Sequence, residues 1–450
     1  MKDAGPLPNI DRPELVWSGK YGEDGVQRIP QTPLVIPQRR TLELYPGPSG
    51  FNDYSGVFIQ GDNLLVMHSL LQEYEGRVRL IYLDPPFDVG SSFSSEVLIG
   101  DKGERKSVAI DYVDKWDKAP QSYAQFMFER LWLARKFLTP DGTIYIHCDY
   151  RSNALLKYIC DEVFGRKNLR NEIIWHYNSG PRSSGDFGRR HDTILRYSAS
   201  SDCYFDPDSV REPYSPDINI PESKAHYYHL DGKVPGDVWD IKIISQNDKQ
   251  ERAGYATQKP EALFKRVITA SSEPGDIVAD FFCGSGSTAY TARKLGRKWV
   301  TCDIGLQSLC VFRRRLSVET GEAFQICDII HPGDPSFIEG GKLEAKLTGD
   351  GLFTDVLRVQ LTAYTPSDAV IKAAGSGRNP FDYIDSWAVD FSYDPDGPFK
   401  CHWNCARTRV SPALPSISGT IDGDKKSCNC VCVRAIDVLG HESRTVIPRS

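Results

Sequence analysis

Short apolar runs alternate with helix-spaced apolar positions along most of the first 330 residues. Val57-Phe58-Ile59 is followed by Leu64, Leu65, Met67, His68 and Leu71 at near-helical spacing, with Asp62 or Asn63 placed to cap the helix. Val78 to Leu83 is mostly apolar, as a strand covered on both faces should be. Tyr123 to Phe137 carries apolar residues at 126, 127, 131, 133, 134 and 137, a helical period. After a Pro140-Asp141-Gly142 turn, Thr143 to Cys148 reads as a strand, Ser152 to Val163 as a helix, and Ile173 to Tyr177 and Thr193 to Tyr197 as strands. The rhythm resumes with a helix from Pro260 to about Ala270, an apolar strand over Ile277 to Phe282, a helix over Thr288 to Leu295 closed by Gly296, and a strand from Lys298 to Cys302. Such alternation predicts an α/β fold, doubly wound around a mostly parallel, Rossmann-like sheet.

Three stretches break the rhythm. Residues 1–48 are rich in Pro and Gly and read as an extended N-terminal arm, with Leu15-Val16-Trp17 as a docked apolar island. Residues 88–120 read as a mobile loop, and 198–256 as an insertion of weak periodicity. After about 330 the chain turns polar, then aromatic, and ends in a strand-like Cys428 to Ile436, which predicts a small β-rich C-terminal domain over 331–450. The body between, 49–330, is the expected catalytic domain.

Composition narrows the class. The 450 residues are 40% hydrophobic and 25% charged, ordinary for a globular protein, and contain no apolar run long enough to span a membrane. The N-terminus lacks a secretory signal, and the 12 scattered cysteines suit free thiols in a reducing cytosol, so a cytoplasmic location is expected. The net charge of −6 does not mark a nucleic-acid binder, but residues 151–200 hold nine Lys/Arg against five Asp/Glu. A local basic surface is enough to meet phosphates.

Two strand ends carry the candidate chemistry. Asp84-Pro85-Pro86-Phe87 closes the 78–83 strand. The prolines fix their own φ and restrict the residue before each, which makes a stiff corner presenting a carboxylate, a carbonyl and a ring. Ligands bind outside such strand ends in open α/β sheets, and the competing reading is Asp84 as a plain turn acceptor. The second, Asp280-Phe281-Phe282-Cys283-Gly284-Ser285-Gly286-Ser287-Thr288-Ala289, runs from strand through a glycine corner into a helix, with Asp303 ending the next strand. Glycines admit close backbone approach and the helix start offers free N–H groups. Gly284-x-Gly286-x-x-Ala289 also fits a dinucleotide fingerprint, which makes a nucleotide-cofactor oxidoreductase one alternative; a catalytically inactive DNA-binding module is a second, independent of that fingerprint.

Together the two motifs resemble those of DNA amino-methyltransferases, and their order resembles the β class. Further resemblances lie in Leu15 to Lys20, Gly61 to Leu64, Asp141 to His147, Asn171 to Trp175, His191 to Leu195 and Thr257-Gln258-Lys259-Pro260. The chain is similar to modification subunits of type III restriction systems and their stand-alone kin, over about residues 12–330. The resemblance implies methyl transfer from S-adenosyl-L-methionine to adenine N6 in double-stranded DNA, within a restriction-modification or epigenetic system. It places Asp84 and the Pro85 carbonyl on the two N6 hydrogens, with Pro86 stiffening the corner and Phe87 stacked on a flipped-out base. Asp280, Phe282, Gly284 and Gly286 would hold the methionine end of the cofactor, Asp303 its ribose, and Lys259 and Pro260 the lead into that half. Phe281 stands where relatives often carry proline. No metal is implied. A second copy, or a restriction or specificity subunit, is the expected kind of protein partner.

Arg182, Arg189 and Arg190 lie on a Gly/Ser-rich loop and are DNA-phosphate candidates as much as solvated loop residues. Tyr112, Trp116 and Asp117 could close over the base or simply pack, and His147 and His191 read as strand-end hydrogen-bonders. Cys401, Cys405, Cys428, Cys430 and Cys432 match zinc ribbons poorly, and alternate cysteines can line one face of a strand. Sequence recognition is expected from 88–120, 198–256 or the tail.

Overall fold

The computed structural model describes residues 15–22, 24–31, 33, 35–87, 92–113, 123–177, 185–215, 226, 228–317, 322–329, 339–350, 353–422 and 430–448. In chain order its first half comprises β1 (Arg39–Tyr45), β2 (Gly56–Gln60), α1 (Asn63–Tyr74), β3 (Val78–Leu83), β4 (Ser92–Ile99), β5 (Glu104–Val113), α2 (Tyr123–Phe137), β6 (Leu138–Cys148), α3 (Asn153–Cys160), β7 (Leu169–His176), β8 (His191–Ser198) and β9 (Val238–Asp240). Then come α4 (Glu261–Ser271), β10 (Ile277–Asp280), α5 (Ser287–Lys294), β11 (Lys298–Asp303), α6 (Leu306–Ser317) and β12 (Phe324–Ile329). The C-terminal part holds β13 (Lys342–Asp350), β14 (Phe353–Thr365), α7 (Asp368–Ala374), β15 (Ile384–Asp390), β16 (Phe399–Lys400), β17 (Trp403–Ala406), β18 (Ile421–Asp422), β19 (Cys430–Asp437) and β20 (Glu442–Pro448).

One sheet of eleven strands organises the molecule, in the order β16-β1-β12-β2-β11-β10-β3-β6-β8-β7-β9. The run β12, β2, β11, β10, β3, β6 is parallel, β8 enters antiparallel, and β1 pairs antiparallel with β12. Leu80 to Leu83 of β3 are all buried, the burial expected of a strand covered on both faces. One face is covered by α1, α2 and α3, with Val66, Met67, Leu70, Met127, Leu131 and Leu156 in its core. The other face is covered by α4, α5 and α6, through Leu263, Phe264, Val267, Ala289, Leu309 and Phe312. The connection from β10 leads through α5 to β11 on one side, and the one from β3 leads to β6 on the other. Strand order therefore reverses between β10 and β3, the crevice where doubly wound sheets bind ligands.

Several local expectations change. The arm over 1–48 includes β1, which belongs to the large sheet. Its inward position is the charged Glu43, which is buried and ion-paired with Arg313 and Arg434. No local pattern advertises a strand whose core-facing residue is a glutamate satisfied from two distant elements. The loop expected over 88–120 contains the antiparallel hairpin of β4 and β5, with Val97 and Ile99 buried against the C-terminal core. The 140–142 turn is absorbed into β6 as an irregularity, since Val78 pairs with Leu138 and Leu80 with Thr143. The 198–256 insertion supplies β9, which pairs with β7 at the sheet edge. Beyond β12, a three-stranded sheet of β13, β14 and β18 and a four-stranded sheet of β17, β15, β19 and β20 form the β-rich C-terminal part. Among the described residues no helix is long and apolar enough to cross a membrane.

Candidate active site

The corner after β3 opens into a cavity of about 1010 Å³, and Asp84, Pro85, Pro86 and Phe87 all line it. The Lys259 ammonium donates to Asp84 Oδ2 at 2.5 Å. His147, at the end of neighbouring β6 and fully buried, places Nδ1 3.9 Å from Asp84 Oδ1. The same nitrogen is 2.7 Å from the Tyr82 hydroxyl, and Nε2 is 3.1 Å from Asp192 Oδ2. Tyr177 donates to the other Asp192 oxygen at 3.2 Å. Burial alone would raise Asp192, but the hydrogen bond and charge of His147, together with Lys259 and Tyr177, outweigh it and leave its pKa lowered. Burial and the nearby Asp84 charge push the Tyr82 phenol well up, so it stays protonated as a donor. Phe87 packs beside His147 with centroids 5.7 Å apart, and Lys259 Nζ is 5.6 Å from the Phe87 ring. Lys259 and His147 thus sit on the acidic corner after β3.

The glycine loop closes the cavity from β10. Asp280 Oδ1 accepts from the Phe282 amide at 3.0 Å and Oδ2 from the Thr288 hydroxyl at 2.5 Å. Burial, aided by the Asp84 and Asp303 charges, pushes Asp280 up to about 7 against those two bonds. Asp303 at the end of β11 accepts from the Gly284 amide at 2.8 Å and the Gly305 amide at 2.9 Å. Burial raises its pKa as well, opposed by these amides. Asp280, Phe282, Gly284, Asp303 and Lys259 line the cavity.

Gly286 and Pro260 do not line it. Gly286 precedes α5 at φ 72°, and a Cβ there would lie 2.6 Å from Phe312, so the residue is needed for backbone shape and close packing. Pro260 is buried at the start of α4, where its fixed φ is tolerated and its side chain packs rather than faces a ligand. Phe281 packs against Phe137 of α2 with tilted rings, centroids 5.3 Å apart, so an aromatic contact braces the loop.

Among the lining residues that escaped the sequence reading as site residues are Asn63, Phe126, Arg130 and Tyr255. Asn63 donates to the Phe281 carbonyl at 2.9 Å and accepts from Arg130 Nε at 2.5 Å, which ties α1 and α2 to the glycine loop. Arg130 is buried, lies 3.4 Å from the Phe126 ring centroid, and is lowered to about 10 by desolvation, against the Asp62 charge. No local signal marked Arg130, since its partners Asn63 and Asp62 lie 67 and 68 positions away. Asp62 caps α1 through the Leu64 and Leu65 amides.

The DNA candidates fare unequally. Arg182, Trp116, Asp117 and Cys428 lie outside the described residues, and the side chain of Tyr112 does too. Arg189 is exposed, 4.2 Å from the Tyr150 ring centroid, and donates to that hydroxyl at 3.2 Å. Arg190 accepts from the Tyr177 amide through its carbonyl, so its backbone is fixed beside the site. Neither Arg189 nor Arg190 lines the cavity. His191 is exposed at the start of β8. Among the described residues no group of three or more His, Cys, Asp or Glu is placed to hold a metal. Cys401 and Cys432 are buried thiols pushed up to about 12 by burial.

A stiff acidic corner and a glycine loop with two strand-end carboxylates therefore face one cavity across adjacent strands. Residues 78–311, just over half the chain, match the family model described as DNA methylase (N6_N4_Mtase). The type II methyltransferase M.EcaI of Enterobacter cloacae is 30% identical over 69% of this chain and 79% of that protein. The DNA adenine methyltransferase YhdJ of Escherichia coli is 28% identical over 60% of this chain and 86% of its own length. The Mod subunit of the Escherichia coli type III restriction-modification enzyme EcoP15I is 28% identical over 32% of this chain and 24% of that subunit.

Proposed function

Because the chain belongs to the N6_N4_Mtase family of DNA methylases, we propose that it transfers a methyl group from S-adenosyl-L-methionine to N6 of adenine in DNA. The observation that carries this is the meeting of Asp84 with Asp280 and Asp303 in one cavity at the ends of adjacent β3 and β10 and of β11. The donor fits the charge of the site. Burial and two neighbouring carboxylates hold Asp280 near 7, so the pocket favours a cationic ligand. Asp303 beside the glycine loop suits ribose hydroxyls. The volume is at the upper end for a small-molecule site, which leaves room for a base beside the cofactor.

Bound S-adenosyl-L-methionine supplies a methyl group activated on a sulfonium. The chain's residues supply the rest. Lys259 holds Asp84 Oδ2, and Oδ1 accepts one N6 hydrogen while the Pro85 carbonyl accepts the other. Holding both hydrogens aims the nitrogen lone pair at the donor and meets positive charge developing on nitrogen with a carboxylate and a dipole. Phe87, backed by His147, offers its face to an adenine rotated out of the duplex. The N–C bond forms as the S–C bond breaks, S-adenosyl-L-homocysteine leaves, and one N6 proton is lost. Asp before Pro-Pro and the name of the Escherichia coli relative both favour adenine N6.

Arg189 and Arg190 form part of the phosphate-contacting face in this reading, and the type III relative supports a restriction subunit as partner. The catalytic domain runs over 49–330 with β1 added to it, and 331–450 forms the C-terminal domain. The test is incubation with adenine-containing duplexes and methyl-labelled donor. Label on adenine N6 is expected, and its absence across diverse sequences overturns the proposal.

A further inference from the structure

The family match ends at residue 311, but the cavity has a further wall. Ala369, Lys372 and Ala373 of α7 line it, as do Leu439 and His441 from the turn between β19 and β20. That turn is built for its place. The Asp437 carboxylate accepts from the Leu439 and His441 amides at 2.8 and 3.0 Å, which fixes their direction. Gly440 has φ 93°, and a Cβ there would lie 2.8 Å from Cys310 Sγ and 3.4 Å from Leu306 Cβ, so the turn presses on α6 as only glycine allows. Gln307 of α6 donates to the Val438 carbonyl at 3.4 Å.

The first turn of α6 follows directly on Asp303, and Ile304, Gly305 and Leu306 line the same cavity. Ile304 of this floor is 63% exposed, an apolar side chain next in the chain to the half-buried Asp303. A half-buried leucine stands on the turn that packs against α6. Two aliphatic side chains, Ile304 and Leu439, lining one cavity with the Asp303 carboxylate suit a flat, weakly polar ring attached to a diol.

We propose that the Leu439–His441 turn is a donor-binding element, closing on the adenosine half of S-adenosyl-L-methionine. The C-terminal sheets then complete the cofactor site. This rests on the donor reading given above, and it assigns binding residues beyond the part of the chain that matches the family.

The test uses the full chain without DNA, by calorimetric titration with S-adenosyl-L-methionine and with 5′-methylthioadenosine. Leu439→Ala is expected to weaken both about tenfold, the loss of a leucine side chain's contact. In turnover the donor KM should rise more than the DNA KM. In case Leu439→Ala fails to fold, wild-type protein is photolabelled with the 8-azido analogue of the donor, and label is expected on a peptide spanning 437–442. Affinity within twofold of wild type in a folded variant, a rise confined to the DNA KM, or label only outside that peptide each overturns the inference. If wild-type protein binds no donor, the function proposed above falls with it. If wild type binds and the variant matches it, only the turn's role is lost.

Discussion

The two ends of the cavity are built on opposite electrostatic plans. At the acceptor end a carboxylate meets a cation directly: Lys259 sits 2.5 Å from Asp84, with the buried His147 behind. At the donor end Asp280 and Asp303 are held by backbone amides and a hydroxyl, and both are pushed up by burial. One end is neutralised by the protein itself, while the other favours a cation from outside. The proposed assignment of the first end to the acceptor and the second to the donor calls for this asymmetry. The acceptor carboxylate must stay a charged hydrogen-bond acceptor, whereas the donor pocket gains selectivity for a sulfonium if the ligand supplies the missing charge.

The largest effect expected from breaking this contrast is at Asp84. Asp84→Ala removes the proposed N6 acceptor and should lower kcat by about 10³-fold, a loss of the size seen when one preorganised transition-state group is removed. Donor affinity should stay within a few fold, as read by calorimetry. Equal loss of both would mean that the corner belongs to the donor site. Lys259→Ala should come next. Releasing Asp84 from its ion pair lets the carboxylate move, and a misplaced acceptor costs about 10²-fold in kcat. If Lys259 served the donor instead, as its place in the lead to the cofactor half suggested, the loss would fall on donor KM.

Those two residues also mark how far the sequence was legible. The 78–83 strand and its acidic corner were plain because apolar residues and paired prolines constrain the backbone locally. The glycine loop was plain for the same reason. The Lys259–Asp84 pair joins positions 175 apart, and nothing local foretells it. Gly286 and Pro260 were assigned to the ligand by the motifs they sit in, yet they serve helix starts. Arg130, the hairpin of β4 and β5 and the Leu439 turn take their places from tertiary packing, with Val97 and Ile99 buried by strands more than 200 residues later. Residues that fix their own backbone could be read, and residues that act through distant partners could not.

At the donor end, Asp303→Ala should weaken S-adenosyl-L-methionine about 10- to 100-fold, from lost bonds to a charged acceptor. The kcat at saturating donor should fall far less than in Asp84→Ala. The two variants thus separate the ends by which constant moves, and a matching pattern in both would erase the distinction.

The smallest effect concerns protons at Asp280, and it tests the charge argument itself. With its carboxyl at about 7 in the ligand-free protein, the group is mostly protonated at pH 6 and ionised at pH 8. A cationic donor favours the ionised form, so binding lowers this pKa and releases a proton below pH 7. Donor affinity should therefore rise with pH through 7 and level off above it, by up to about tenfold between pH 6 and pH 8. In the ligand-free protein the sign is reversed. A carboxyl raised on folding contributes stability that is present below its unfolded value and lost as pH climbs through 7. S-adenosyl-L-homocysteine keeps the α-ammonium but carries a neutral sulfur, so its affinity should change less across the same range. Parallel titrations of the two ligands at pH 6, 7 and 8, in buffers of different ionisation enthalpy, read both the affinity and the released proton. Equal pH dependence for the two would show that Asp280 answers the α-ammonium they share and that the donor end does not recognise the sulfonium charge.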